Sequence, residues 1–172
     1  MEFISDHIDS ETLYKEFFTP VFRYIFFRTK DYDIANDLTQ TSFLKFLNHQ
    51  DQKIKKDYAV RLLFVIARNT LIDYWRTENK RNHENIEEVE DIPSSDPTPE
   101  EIAITRQDKE FVSKILKGLS DVEEEIVSMR LSGDIEYEII ATTLGISVVN
   151  ARKIYSRAIK KIGVVFNNSN NI

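Results

Sequence analysis

The first half of the chain is patterned as three amphipathic helices. Apolar residues recur at steps of three and four, the spacing of a helix that buries one face, over residues 13–29, 31–47 and 59–76. The first stretch is dense in aromatic residues that suit a core, and Pro20 within it predicts a kink or an interruption near residues 18–19. Residues 48–58 mix charges without a period and predict a loop.

The second half ends in a predicted helix-turn-helix over residues 136–162. Apolar and small residues follow helical spacing on each side of Gly145, which can adopt the positive φ that ends a helix. Ser147 can cap the next helix, and Ala141 is small enough to let the two helices approach closely.

Two further helices are predicted before this motif. One covers residues 98–118, and the other runs from residue 121 to about residue 131. Ser120 and Glu123 form a capping box, S-x-x-E, at the start of the second of them. The C-terminal part of the chain therefore predicts a compact four-helix module.

The last helix of the motif carries a basic face. It contains no acidic residue and five basic ones, Arg152, Lys153, Arg157, Lys160 and Lys161. In a DNA-binding helix-turn-helix, the second helix enters the major groove, and cations there meet phosphates. The alternative is a basic face that contacts only solvent, because short helical hairpins with a glycine turn are common.

Composition favours helices in two separate groups. The 172 residues include only four glycines and four prolines. Between residues 84 and 110 the chain carries ten acidic and two basic residues, together with three of the prolines, and such a stretch cannot bury enough apolar surface to fold alone. We expect an all-α fold of two small helical domains joined by a flexible acidic linker: a domain over residues 8–80, the linker over 81–107, a helix-turn-helix domain over 108–165 and a tail over 166–172.

The distribution of charge matters more than its sum. The net charge of −6 argues against a protein that coats nucleic acid indiscriminately, yet cations group at residues 53–56, at 76–81 and in the last helix. The absence of cysteine excludes disulfides and thiolate metal sites. The N-terminus lacks a signal pattern and no apolar run is long enough to span a bilayer, so we expect a cytoplasmic protein.

Two helices of the first half carry polar residues that a core does not require. Asp37, Gln40, Thr41 and Leu44 share one face of the second helix, and a leucine on an otherwise polar face hints at a partner surface. The third helix combines cations and an amide with aromatic rings, in Arg68, Asn69, Tyr74, Trp75 and Arg76. Single-stranded nucleic-acid sites use this combination, although the rings can equally pack at the helix end while the arginines contact solvent.

The sequence gives little support for a metal site. His7, His49 and His83 fall in the N-terminus, a predicted loop and the predicted linker, and the chain has no Glu-x-x-His pair of the kind that di-metal bundles use. A metal-dependent helical-bundle enzyme is therefore disfavoured. We expect no cofactor and no metal site.

Three segments, in order, resemble bacterial sigma-70-family factors of the extracytoplasmic function group. ANDLTQTSFLKF is similar to the A-x-D-hydrophobic-x-Q-x-x-F-hydrophobic-x-hydrophobic signature of region two, and RLLFVIARNTLIDYWR resembles the segment that follows, with I-A-R-N and D-Y-x-R in place. GLSDVEEEIVSMRLSGDIEYEIIATTLGIS resembles region four. Ser120 departs from the usual proline, and the residues after Ser147 depart from the common G-T-V-K-S-R-L, so no promoter sequence is transferred.

The resemblance implies a factor, rather than an enzyme, that binds core RNA polymerase and directs it to promoters. Asp37, Gln40, Thr41 and Leu44 match the face that docks on the clamp helices of the largest polymerase subunit. The resemblance assigns recognition and opening of the −10 element to the loop of residues 51–56 and to Arg68, Asn69, Tyr74, Trp75 and Arg76, with Asn69 matching an asparagine that lines a pocket for a flipped base. It assigns −35 recognition to Ser147, Asn150, Arg152, Lys153, Ser156 and Arg157.

The resemblance also raises the question of partners. Many factors of this kind are held inactive by an anti-sigma factor clamped between the two domains, and no residue here identifies one. The alternative function is a stand-alone helix-turn-helix regulator that binds duplex DNA as a dimer. The region-two motifs and the lack of an obvious dimerisation helix count against that alternative.

Overall fold

The computed structural model describes residues 7–49, 54–84 and 106–169, and within them the all-α prediction is confirmed. The described residues also contain one short antiparallel ladder that was not predicted. It pairs β1 (His7–Ile8) with β2 (Ile54–Lys55). The helices are α1 (Ser10–Thr29), α2 (Tyr32–His49), α3 (Lys56–Glu84), α4 (Arg106–Leu116), α5 (Asp121–Gly133), α6 (Tyr137–Leu144) and α7 (Val148–Ser169).

Helix α1 is continuous through its proline. Asp9 caps it by accepting a hydrogen bond from the Thr12 backbone N–H at 2.8 Å, and the chain leaves it through Lys30 in the left-handed conformation. The interruption predicted near Pro20 is therefore wrong. Leu13 and Val21, on either side of the proline, are both buried, and this packing offsets the roughly 3 kcal/mol that an interior proline costs a helix.

An aromatic core joins the first three helices. Tyr24 of α1 and Phe64 of α3 are fully buried, with ring centroids 6.0 Å apart. Phe43 of α2 lies 4.9 Å from Tyr14 and 6.1 Å from Phe18, both on α1. These separations fall in the favoured range for aromatic pairs, so most of the aromatic rings of α1 serve packing, as predicted.

Helix α3 is longer than its sequence pattern predicts. It begins at Lys56, within the predicted loop of residues 48–58, and that loop also includes the end of α2 and all of β2. Residues 51–53 of the predicted −10 loop lie outside the described residues. At its other end α3 continues to Glu84, so the first residues of the predicted linker are helical. Residues 106–107 of that linker begin α4, and residues 85–105, which include the start of the helix predicted over 98–118, lie outside the described residues.

Helices α4 to α7 form the predicted four-helix module. The capping box is present, because the Ser120 side chain accepts from the Glu123 N–H and the Glu123 carboxylate accepts from the Ser120 N–H. The Lys161 ammonium donates to Glu123 at 2.8 Å, and this hydrogen bond lowers the pKa of the Glu123 carboxyl. Helix α7 runs to Ser169, so the predicted tail is helical over most of its length, and residues 170–172 lie outside the described residues.

The two groups of helices pack against each other. Helix α5 lies along α1, and α6 contacts α3. In the described part of the chain, no helix combines the length and the apolar character that crossing a membrane requires. The fold therefore places the start of the helix-turn-helix beside the three-helix core.

Candidate nucleic-acid interface

The basic face of α7 is open to solvent. Ala151 and Ala158, seven residues apart, are fully buried and fix the opposite face of the helix against the module. All the predicted −35 residues of this helix are exposed: Asn150, Arg152, Lys153, Ser156 and Arg157. Val149 and Lys160, which were not predicted, are exposed beside them at helical spacing, and we call these seven residues the α7 face. The structure thus brings the predicted residues together on one accessible surface, the α7 face.

The turn before α7 is built as predicted. Gly145 adopts φ 66°, the left-handed conformation that ends α6. The Ser147 hydroxyl accepts a hydrogen bond from the Asn150 N–H at 3.1 Å and so caps α7. Ser147 therefore orients the first turn of the helix while its own side chain stays exposed.

Arg130 holds the module together and was not predicted. Its guanidinium carbon lies 4.8 Å from the ring centroid of Tyr137 and 5.8 Å from that of Tyr155. Its Nη1 donates to the Ile135 carbonyl at 2.8 Å. One side chain of α5 thereby fixes the positions of α6 and α7. The sequence carries no signal for this role, because the partner rings lie on two later helices.

Val149 is the exposed apolar residue of the α7 face. Its side chain is 61% exposed in the first turn of the helix, next to Asn150. Arg152 on the following turn makes a weak surface pair with Glu138 at 3.9 Å and lies over the Tyr137 ring. A DNA phosphate can replace so weak a partner, and Val149 is exposed among the residues of the module that the structure describes.

The candidate −10 residues on α3 divide between different faces. Asn69 and Arg76, seven residues apart, are exposed together on one face. Arg68 and Trp75, also seven apart, are half-buried on the neighbouring face. Tyr74 lies on neither of these faces. It is half-buried, and its burial raises the pKa of its phenol. The five side chains do not form one open surface.

Arg68 is engaged by the C-terminal module. Its Nε donates to Glu125 Oε1 at 2.8 Å, and the same oxygen accepts from the Tyr24 hydroxyl at 2.9 Å. Tyr24 is fully buried, and burial together with the neighbouring Glu125 carboxylate raises the pKa of its phenol well above the ordinary value. Arg68, a candidate DNA-binding residue, is thus paired with a carboxylate of the protein itself, that of Glu125.

Trp75 is linked to the C-terminal module through Arg28. Its ring lies 5.0 Å from the Arg28 guanidinium, whose Nη1 is 3.1 Å from Glu124 Oε1. The Arg28 side chain is only 8% exposed. Trp75 therefore packs against an arginine that α5 holds in place.

The candidate polymerase face of α2 is accessible. Asp37 and Gln40 are exposed, Thr41 is half-buried and Leu44 is 62% exposed. On the other side of the helix, Phe43 is buried in the aromatic core. An apolar side chain on a polar, exposed helix face is a suitable centre for a protein contact.

No group of three or more histidine, aspartate or glutamate side chains in the described ranges is arranged to hold a metal ion. The arrangement of side chains instead offers a basic helix face, a polar helix face around Leu44, and the Asn69–Arg76 edge of α3.

Comparison with known families divides the chain into the same two parts. Residues 13–81 match the domain family described as Sigma-70 region 2, and residues 115–162 match Sigma-70, region 4. Together the two matches cover more than half of the chain. They contain the α2 face, the candidate residues of α3 and the α7 face.

Relatives are found in Bacillus subtilis (strain 168). RNA polymerase sigma factor YlaC is 29% identical over 155 residues, which are 88% of this chain and 89% of that protein. RNA polymerase sigma factor SigZ is 26% identical, with 88% and 84% covered, and ECF RNA polymerase sigma factor SigM is 24% identical, with 91% and 94% covered.

A solved structure has the same fold. The sigma factor RpoE from Bartonella quintana, crystallised in complex with the anti-sigma factor NepR, superposes with a TM-score of 0.68, at 16% identity and over 91% of this chain and 96% of that one. The family matches, the relatives and the fold agree with the motifs of α2, α3 and α7. The chain belongs to the extracytoplasmic function group of the sigma-70 family of RNA polymerase sigma factors.

Proposed function

We propose that this sigma factor docks on core RNA polymerase through the α2 face, reads the −35 promoter element with the α7 face, and opens the −10 element with α3. The observation that carries the proposal is the α7 face, an exposed surface that has four basic residues, Arg152, Lys153, Arg157 and Lys160, and no acidic one. Such a surface fits a major groove, where phosphate contacts position a protein and base contacts give specificity.

The α2 face supplies the polymerase contact in this proposal. Leu44 provides the apolar centre, and Asp37, Gln40 and Thr41 provide polar contacts around it. Contact with polymerase makes a high DNA affinity of the factor itself unnecessary. This agrees with a net charge of −6, which would weaken binding to DNA by the factor alone.

The exposed Asn69 and Arg76 are the residues of α3 best placed to begin contact with the −10 element. Asn69 offers an amide donor and an acceptor that can read the edge of an unpaired base, and Arg76 can contact a neighbouring phosphate. Extracting a base costs a few kcal/mol of stacking, so polar groups that receive it favour the open duplex. Arg68, Tyr74 and Trp75 would join this surface after a rearrangement.

On the α7 face, each residue type has a distinct task. Arg152, Lys153 and Arg157 are suited to guanine edges and phosphates, and Asn150 to an adenine edge. Ser156 adds a hydroxyl, and Ser147 acts mainly as the cap of the helix. Val149 extends the proposal, because an exposed apolar side chain in the groove is suited to the 5-methyl group of thymine.

We place this protein in the cytoplasm with the polymerase, as an initiation factor without enzymatic activity of its own. The chemistry of RNA synthesis belongs to the polymerase. An anti-sigma factor is a candidate partner, since the Bartonella quintana RpoE was crystallised with one.

Run-off transcription with purified core polymerase tests the proposal. Adding the protein should yield transcripts from selected promoters of its own genome, and omitting it should yield none. Asn69→Ala should bind core polymerase like the wild type but form open complexes more slowly. Tight dimeric binding to duplex DNA without polymerase, and no promoter-specific transcript, would favour a stand-alone regulator instead.

Val149→Ala should make the protein insensitive to one thymine methyl group. Replacing that thymine by deoxyuridine in the −35 element should weaken binding of the wild-type holoenzyme about three- to fivefold, because burying one such carbon is worth about 0.8 kcal/mol. The alanine variant should bind both duplexes equally. Binding measured with each −35 thymine replaced in turn checks this. A wild type indifferent to every methyl group would exclude the role.

A further inference from the structure

We propose that Tyr137 is a positioning residue for −35 recognition, because its ring orders Arg152 on the α7 face before DNA is bound. Arg130 in turn fixes the ring. The three side chains belong to α5, α6 and α7, and we call them the arginine–tyrosine clamp. The effect of the clamp on promoter binding rests on the proposed function, but the order that it imposes on Arg152 can be measured without DNA or polymerase.

Two guanidinium groups share the ring of Tyr137. The guanidinium carbon of Arg130 lies 4.8 Å from the ring centroid, and that of Arg152 lies 5.0 Å from it. Both distances are within the range of about 6 Å over which an aromatic ring attracts a cation. Asp134 lies 3.4 Å from Arg130, and a second carboxylate, that of Glu138, lies 3.9 Å from Arg152. These carboxylates offset the repulsion between the two like charges.

The ring of Tyr137 is held in place by other parts of the module. It is half-buried and meets the Tyr155 ring edge-to-face, with centroids 6.0 Å apart. Arg130 is itself fixed, because it donates to the Ile135 carbonyl at 2.8 Å and its side chain is only 22% exposed. The ring therefore presents a fixed surface to Arg152, whose own side chain is 59% exposed.

Arg152 differs in this respect from its neighbours on the α7 face. Among the described residues, Lys153 and Arg157 have no aromatic ring or carboxylate as a partner. A flexible side chain loses rotamer freedom when it binds, whereas an ordered one has already lost it. Arg152 is thus prepared for a bidentate contact with a guanine, which requires a fixed orientation of the guanidinium, and the two flexible cations are suited to phosphates.

DNA can replace one partner of Arg152 while the other partner remains. The pair with Glu138 is long and exposed, so it contributes little and is easily released. The Tyr137 ring attracts the guanidinium without accepting hydrogen bonds from its N–H groups. Those donors stay available for the O6 and N7 acceptors of a guanine. The clamp therefore provides orientation and leaves the hydrogen-bonding capacity of Arg152 to the base.

Replacing each guanine of the −35 element in turn by 7-deazaguanine tests this role. The change removes the N7 acceptor that a bidentate arginine uses and leaves base pairing intact. The wild-type holoenzyme should bind at least about fivefold more weakly when one particular guanine is replaced, and Arg152→Ala should identify that guanine by not responding to it. Tyr137→Phe keeps the ring and should respond as the wild type does. Tyr137→Leu should bind the unmodified promoter more weakly and respond to the same replacement by less than about twofold.

The order of Arg152 can be measured in the free full-length protein. NMR relaxation of the Arg152 Nε–H group should report a restrained side chain in the wild type and in Tyr137→Phe, and a mobile one in Tyr137→Leu. The backbone spectrum of Tyr137→Leu shows whether the variant is folded, and Tyr137→Met, which also lacks the ring, replaces it if it is not. Glu138→Gln is the matched control, because it removes the other partner of Arg152 and should change neither the order nor the guanine response.

The outcomes separate the clamp from the proposed function. A wild-type guanine response in a folded variant without the ring would overturn the positioning role, and so would an Arg152 that is equally mobile with and without the ring. Loss of order in Glu138→Gln alone would assign the positioning to the ion pair and overturn the role of Tyr137. A wild-type holoenzyme that responds to no guanine would exclude base reading by Arg152. If Arg152 were ordered by the ring but no promoter were bound, the proposed function would fail and the clamp would stand.

Discussion

Leu44→Asp is expected to weaken binding to core RNA polymerase by about a hundredfold or more, which corresponds to about 2.7 kcal/mol. Leu44 is 62% exposed at the centre of the α2 face, and burying a leucine on association is worth about 1.5–3 kcal/mol. The aspartate adds the cost of desolvating a charge. Because the side chain lies outside the core, the melting temperature should hardly change. Binding of labelled factor to core polymerase measures the effect.

Val164→Asp is the matched control for this variant. Val164 is an apolar side chain of similar exposure, 58%, on α7 outside the predicted DNA-reading residues. Val164→Asp should bind core polymerase nearly as well as the wild type, and Leu44→Met should retain most of the wild-type affinity for polymerase. Wild-type affinity in Leu44→Asp would show that the α2 face is not the docking surface. An equal loss in Val164→Asp would attribute the effect to added negative charge.

Local features of the fold could be predicted from the sequence. The turn at Gly145, the cap at Ser147 and the capping box of Ser120 and Glu123 depend on neighbouring residues, and all three are present. The spacing of the exposed α7 residues also follows from helical periodicity alone. In each case the physical cause lies within a few residues of its effect, so one segment carries the whole signal.

Features that depend on distant contacts could not be predicted. The continuous path of α1 through Pro20 reflects packing by other helices, which overrides the local preference. Glu125 meets Tyr24 across 101 residues of sequence and Arg68 across 57, and in the sequence it is one acid in a run of three. Such a carboxylate looks like a solvated surface charge until the fold brings buried donors to it.

Leu47 illustrates the same limit on a smaller scale. It belongs to the apolar pattern of residues 31–47, but it is 40% exposed near the end of α2, while Phe64 in the apolar pattern of residues 59–76 is fully buried. Periodicity identifies which residues share a face of a helix. It does not establish how far the neighbouring helix extends over that face.

Glu125→Ala is expected to uncouple the two modules in thermal unfolding. The change leaves the buried Tyr24 hydroxyl without its acceptor and Arg68 without its anion, at a cost of about 3 kcal/mol to the contact between modules. Part of that cost is regained through water, since the Arg68 side chain is 31% exposed. The less stable module should therefore begin to unfold below the melting temperature of the wild type.

Calorimetry separates uncoupling from simple destabilisation. The wild type should unfold in one transition, because a module of about 60 residues is only marginally stable without the surface that it buries on its neighbour. Glu125→Ala should show two transitions, the first from the α4–α7 module. Glu138→Ala removes an exposed glutamate of the same module, outside the contact between α5 and α1, and should keep the single transition. If Glu125→Ala also unfolded in one transition at the wild-type temperature, the hydrogen bonds of Glu125 to Arg68 and Tyr24 would contribute no coupling. Packing between the modules, such as that of Gly133 on Pro20, would then have to account for the single transition.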